Sequence, residues 1–278
     1  GDGTFAAPRN FYAGNDPSSL VIVDLDGDDH LDLAVAIATS GNVVLLINDG
    51  EGVFAAQGPL EAGVRPSSIA ACDLDGDSDP DLVVANRNSD NVSVLLNNSD
   101  GTFADQQFYN VGQSPSCVSA GDIDGDGDPD LAVATPGSVP SPGSDNIYVL
   151  LNNGNGIFGD QQIYIAGDDT VGVALGDLDG DDDLDLAAVF DVTDHIGMLL
   201  NRGDGTFEDQ QEAYAVGEDP VSVSAGDLDG DGTPDLTVAN LRDGNVSVLI
   251  NNGDGTLGAQ RTFMAGDDPR GVAIGDLD

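Results

Sequence analysis

Asp122-Ile-Asp124-Gly-Asp126-Gly-Asp128-Pro-Asp130 places carboxylates at positions 1, 3, 5 and 9 of a nine-residue loop. Carboxylates packed this closely repel one another unless a cation sits among them. Hard divalent cations take six to eight oxygen ligands, and alternating Asp on a glycine-kinked loop supplies them. Position 7 contributes its backbone carbonyl in such a loop. Chance does not account for the pattern, because it recurs in full from Asp24, Asp73, Asp177 and Asp227, and a sixth copy begins at Asp276. The starts lie 49, 49, 55, 50 and 49 residues apart. The expected metal residues are Asp24, Asp26, Asp28, His30 and Asp32 in the first loop, and Asp73, Asp75, Asp77, Asp79 and Asp81 in the second. The third holds Asp122, Asp124, Asp126, Asp128 and Asp130, and the fourth Asp177, Asp179, Asp181, Asp183 and Asp185. Asp227, Asp229, Asp231, Thr233 and Asp235 form the fifth, and Asp276 and Asp278 open the sixth.

The ion that suits this oxygen set best is Ca²⁺, about one per complete repeat. An EF-hand is excluded, because position 12 of the first loop is Val35 rather than Glu. A nine-residue β-roll period is excluded by the spacing near 50. Mg²⁺ is disfavoured because it keeps several waters instead of an all-protein cage. The metal is read as structural: protein ligands saturate it and leave no place for an activated water.

The elements that position the loops follow from the repeat. In the second copy, Ser67–Cys72 is a short strand, A, running into the loop, and Leu82–Ala85 leaves it as strand B. Val92–Leu96 alternates as strand C. Asn97-Asn98-Ser99-Asp100-Gly101 is a tight turn of residues that tolerate positive φ. Phe103–Val111 is strand D. Four strands joined by turns, with no 3.6-residue apolar period, make an antiparallel meander. Counting back from each first loop Asp, position −4 holds Leu20, Ile69, Val118, Val173, Val223 and Val272, while −5 and −3 hold mostly Ser, Ala or Gly. A strand buried on both faces, small on one, suits sheets stacked around a tight axis. The fold class expected is all-β: a β-propeller of four-stranded antiparallel blades, with five complete repeats plus an incomplete sixth. The single domain spans 1–278, with repeats at 17–65, 66–114, 115–169, 170–219 and 220–268. Orphan strands are expected at 5–13 (D) and 271–277 (A), leaving the sixth blade without B and C. The chain opens mid-repeat, as a fragment or processed form would.

Charge narrows the partners. The chain carries 51 acidic residues against seven Arg and no Lys, a formal net charge of −44. Five divalent ions would bring this only to −34, which disfavours nucleic acid and anionic membrane. No apolar run is long enough to insert into a membrane. Cys72 and Cys117 occupy different positions in adjacent repeats and read as small buried residues. No catalytic residue is assigned. His30 sits at position 7 of a metal loop with its ring toward solvent, and His195 in the B–C turn of the fourth repeat. Neither has a nucleophile pattern beside it.

The motif Asp-x-Asp-Gly-Asp-x-x-x-Asp-Leu, an apolar strand, and Asn-x-(Ser/Val)-Val-Leu-(Leu/Ile)-Asn-Asn-Gly-Asp-Gly-Thr-Phe resembles the FG-GAP/VCBS repeat over essentially the whole chain. Tyr12-Ala-Gly14 and Val111-Gly112 replace the Phe-Gly dipeptide, which places the chain nearer the VCBS variant. The resemblance implies a calcium-binding propeller like that of integrin α subunits and secreted microbial proteins. It implies an extracellular or cell-surface binding or adhesion module, with a protein or glycan ligand and no enzymatic activity. The propeller part of a secreted polysaccharide lyase is the alternative. In a meander the A–B and C–D turns share one face, and the B–C and D–A turns the other. That second face collects Arg65, Arg87, Arg242 and Arg270, and the long insertion 137–144. It is the expected ligand face.

Overall fold

The computed structural model describes residues 7–137, 145–208 and 213–276. Among them are twenty strands in five four-stranded antiparallel sheets, and no helix. Blade one holds β1 (Pro17–Val23), β2 (Asp32–Ile37), β3 (Asn42–Asn48) and β4 (Phe54–Glu61). Blade two holds β5 (Pro66–Cys72), β6 (Asp81–Asn86), β7 (Asn91–Leu95) and β8 (Gln107–Asn110). Blade three holds β9 (Cys117–Gly121), β10 (Asp130–Thr135), β11 (Asn146–Leu150) and β12 (Gln162–Ile165). Blade four holds β13 (Thr170–Gly176), β14 (Asp185–Phe190), β15 (His195–Leu199) and β16 (Ala213–Ala215). Blade five holds β17 (Pro220–Gly226), β18 (Asp235–Asn240), β19 (Asn245–Leu249) and β20 (Arg261–Met264). Each sheet is ordered as the chain runs, the meander expected from the turns.

The first strands of successive blades pack side by side, β1 on β5, β5 on β9, β9 on β13 and β13 on β17. They bound a central cavity of about 560 Å³ together with residues 270–272. Second strands are buried along their whole length in blades two to five, whereas fourth strands such as β8 and β12 alternate half-buried with exposed. The core is therefore not one body but a seam between each pair of neighbours. The −4 residues face the preceding blade: Ile69 joins Leu25, Ala34 and Leu45, and Val118 joins Leu74, Val83 and Val94. The small −3 face meets the following blade, as Ala70 does. Among the described residues blade one has no full predecessor, and Leu20 is 55% exposed where Ile69 is 7% exposed.

The expected orphan strands need correction. Residues 7–13 and 271–276 form no ladder, because no B or C strand lies between them to share backbone hydrogen bonds; residues 5, 6 and 277 lie outside the described residues. Both segments still occupy sixth-blade places. Phe11 packs edge-to-face on Phe54 at 5.1 Å, as Tyr109 does on Phe158 and Tyr164 on Phe207. Val272 donates its N–H to Ser222 Oγ, as Ile69 does to Ser19 and Val118 to Ser68. Of a sixth blade, the described residues hold these two segments alone. Cys72 and Cys117 are free thiols, and burial pushes Cys72 up to about 12, which makes it inert.

Candidate metal centres

Each complete loop draws three carboxylates together. Positions 1, 3 and 9 each offer an oxygen, all within 4.8 Å of one another: Asp24/Asp26/Asp32, Asp73/Asp75/Asp81, Asp122/Asp124/Asp130, Asp177/Asp179/Asp185 and Asp227/Asp229/Asp235. These could hold a metal ion. The elements that bring them together are the end of the first strand and the start of the second, where position 9 is the first residue of β2, β6, β10, β14 or β18.

Position 9 is wholly buried in every blade. Its oxygens each accept a backbone N–H, one from position 2 of its own loop and one from the turn after the third strand. For Asp81 these are Leu74 N at 2.8 Å and Asn97 N at 2.7 Å, and for Asp130 Ile123 N and Asn152 N. Burial nonetheless outweighs these bonds and pushes Asp81, Asp130 and Asp185 up to about 6. Position 1 folds the loop: Asp24 Oδ1 accepts from Gly27 N and Oδ2 from Asp29 N. Position 3 is raised by burial and then by the position-5 carboxylate in Asp26, Asp75, Asp124 and Asp179.

The donor set fits a hard cation on a direct observation. Buried oxygens without any hydrogen-bond partner are Oδ1 of Asp26, Asp75, Asp122 and Asp179, together with Asn97 Oδ1 and Asn152 Oδ1. A carboxylate oxygen only accepts, and leaving it buried and unpaired costs on the order of 1–3 kcal/mol or more. A divalent ion among three carboxylates removes that cost and their mutual repulsion.

Other expected ligands stand outside the triads. Position 5 lies at the exposed rim, where Asp77 and Asp126 cap the N–H of position 7. His30 does not simply face water: its Nδ1 lies 3.1 Å from Asp28 Oδ1, raising the imidazole and lowering the carboxyl. Asp128 and Asp183 fold over Gly154 and Gly203, whose φ of 73° and 75° and missing Cβ give them room. Asp276 ends the described chain, and Asp278 lies outside it. His195 opens β15 instead of lying in the turn, with Nδ1 against Thr193 O.

Sequence reading missed a residue class. Asn97 Nδ2 donates to Leu25 O of the preceding blade's loop at 3.0 Å and to Pro80 O of its own at 3.2 Å. Asn152, Asn201 and Asn251 repeat this on Leu74, Ile123 and Leu178. Position 2 is the apolar plug beside it: Leu25, Leu74, Ile123 and Leu178 are buried, and Leu228 is 45% exposed. Each of the first four acidic loops is thus fastened to the next blade. The recurrence of Asn48, Asn97, Asn152, Asn201 and Asn251 was the available signal.

Arg65, Arg87 and Arg270 line a single cavity of about 570 Å³ at the channel mouth on the opposite face, and Arg242 lies elsewhere. Residues 138–144 of the insertion are outside the described residues.

Fold and site define a β-propeller of about five blades with an acidic, metal-competent loop at every complete repeat. FG-GAP-like repeat models match residues 32–84, 73–133 and 187–238, and an FG-GAP repeat model matches 117–150, so the chain belongs to the FG-GAP-like repeat family. No curated protein matches it. Among solved structures it is similar to a Lactobacillus plantarum protein (TM-score 0.69, 19% identity, covering 97% of this chain and 75% of that one). It is also similar to an Agrocybe aegerita lectin that recognises non-reducing terminal N-acetylglucosamine (TM-score 0.57, 20% identity, 88% and 66% covered). A third is a Staphylococcus aureus virginiamycin B lyase (TM-score 0.55, 12% identity, 88% and 70% covered). The chain spans just under two thirds of the lectin's length. At these identities the likeness is one of fold.

Proposed function

We propose that this chain is a calcium-stabilised propeller serving as an extracellular binding or adhesion module, with the metal structural and not catalytic. The observation that carries the metal reading is the set of buried, unpartnered carboxylate oxygens of Asp26, Asp75, Asp122 and Asp179 inside the acidic triads. An all-oxygen, carboxylate-rich set selects Ca²⁺ over the softer transition metals. Calcium at the millimolar level of an exterior matches the affinity of about 10⁻⁴ to 10⁻³ M of extracellular modules. A binding role is supported by the contrast between two faces: one holds the acidic loops, the other a charged cavity at the channel mouth. An extracellular protein or glycan is the partner class.

The test is stoichiometry. After dialysis against millimolar Ca²⁺, metal analysis should find about five ions per chain, and Asp75→Asn should lower the count by one. Fewer than two ions per chain, or a count indifferent to Asp75, overturns the reading.

A further inference from the structure

The channel mouth is rimmed by one repeated backbone element. In four of the five blades the residue just before the first strand accepts, on its carbonyl, the N–H of the residue that follows the second strand; in blade three that residue is Pro136, which has no N–H to give. The bonds are Ala38 N to Asp16 O, Arg87 N to Arg65 O, Asp191 N to Asp169 O and Leu241 N to Asp219 O. The same backbone position thus presents two guanidiniums in blade two and two carboxylates in blade four. All four residues line the 570 Å³ mouth cavity, joined by Asp16 and Arg270.

Backbone demand does not explain the arginines. The first rim position is left-handed in every repeat, with φ of 64° at Asp16, 58° at Arg65, 56° at Ser114, 61° at Asp169, 60° at Asp219 and 52° at Asp268. Asp and Asn tolerate that conformation, and the other repeats use Asp or Ser; Arg65 bears a backbone it does not favour. Ion pairing does not explain them either. Among the described residues, Arg65, Arg87 and Arg270 make no salt bridge within 4.0 Å, in a chain with 51 acidic residues. Among the described residues, three guanidiniums without a salt bridge are thus gathered at one opening, where the charge of Arg87 favours the Asp169 carboxylate from beyond salt-bridge distance.

We propose that the mouth binds a small zwitterion, its carboxylate on Arg65 and Arg87 and its ammonium on Asp169 and Asp191. Guanidinium forks bind carboxylates in bidentate fashion. A polyanion would have to approach a chain of net charge −44 and settle beside three carboxylates. A zwitterion carries no net charge and pairs with both sides of the rim. The cavity lies in the range of about 300–1,000 Å³ typical of small-ligand sites. Ala38 and Arg65 also line a second cavity, bounded by Thr39, Ser40, Asn42, Glu61, Ser89 and Asn91, whose polar groups offer hydrogen bonds to a short peptide or similar extension. The inference rests on the reading of the chain as a binding module, not on the metal.

The experiment is calorimetric titration of the calcium-loaded protein with trialanine, N-acetyl-trialanine and trialanine amide. One trialanine should bind per chain, with each capped form at least tenfold weaker because it lacks one charge. The double variant Arg65→Asn/Arg87→Ala should lose binding while melting at or above the parent temperature in calcium. Absent trialanine binding, equal binding of either capped form, or binding retained in the folded double variant overturns the proposal. Each of these failures leaves the ion count untouched, so it is distinguishable from failure of the metal reading.

Discussion

The side-chain amide of Asn97 reaches the carbonyl of Leu25, 72 residues earlier, at 3.0 Å. This bond ties the turn of one blade to the acidic loop of the blade before it. Removing it with Asn97→Ala leaves Leu25 O and Pro80 O without that donor in a buried seam. The cost should be about 2–4 kcal/mol, two lost bonds to buried groups. Asn48 is the internal control. It is half-buried, its Nδ2 donates only to Leu31 O of its own blade, and its Oδ1 accepts Gly50 N and Gly52 N of its own turn, so Asn48→Ala should cost less than Asn97→Ala, about 1 kcal/mol. Denaturant unfolding of the two variants checks the difference; equal costs would show that the inter-blade bond contributes nothing special.

Leu74 and Leu228 hold the same loop position with opposite surroundings, 1% and 45% exposed. Leu74→Ala should destabilise by about 2–4 kcal/mol through lost burial and a cavity, and Leu228→Ala by under about 1 kcal/mol. The same unfolding measurement reads both.

The blades and their order were legible in the sequence because the Asp loops fix a register that apolar alternation then fills. Position 9 was legible as a candidate ligand, but not its burial, nor its role in holding Asn97 N and Leu74 N. An Asn-Asn pair before a turn signals positive φ equally well, so Asn97's reach into the neighbouring blade depends on how the blades stack. For the same reason the segments at 7–13 and 271–276 looked like strands. Their residues have strand character, as Phe11 and Val272 show, but a ladder needs neighbours that local pattern cannot supply.

Arg65 holds φ at 58°, where Asp stands in four other repeats. Arg65→Asn should therefore stabilise the protein by about 0.5–1 kcal/mol, since Asn tolerates the left-handed region. Thermal unfolding checks this; destabilisation would mean that the guanidinium makes a structural contact.

Asp191 is raised to about 6 by burial first, then by its hydrogen bond to and repulsion from Asp219. The folded value lies above the unfolded one, so its contribution is fully present below about pH 4 and is lost as pH rises through about 6. Asp191→Asn removes this dependence. At pH 7.5 the variant should be more stable than the parent by about 1–1.5 kcal/mol, the linkage discounted for partial solvent screening. At pH 4 the two should unfold alike. A variant less stable at pH 7.5 contradicts the assignment.

The central claim is that metal in the acidic triads holds the propeller together. Binding to the folded state alone adds about 2.7 kcal/mol per site at a hundredfold excess over the dissociation constant, and five triads are present. The direct measurement is the melting temperature in millimolar Ca²⁺ against excess EDTA at one ionic strength. The account predicts a fall of more than about 10 °C on chelation, reversed by adding calcium back; superimposable melting curves would contradict it.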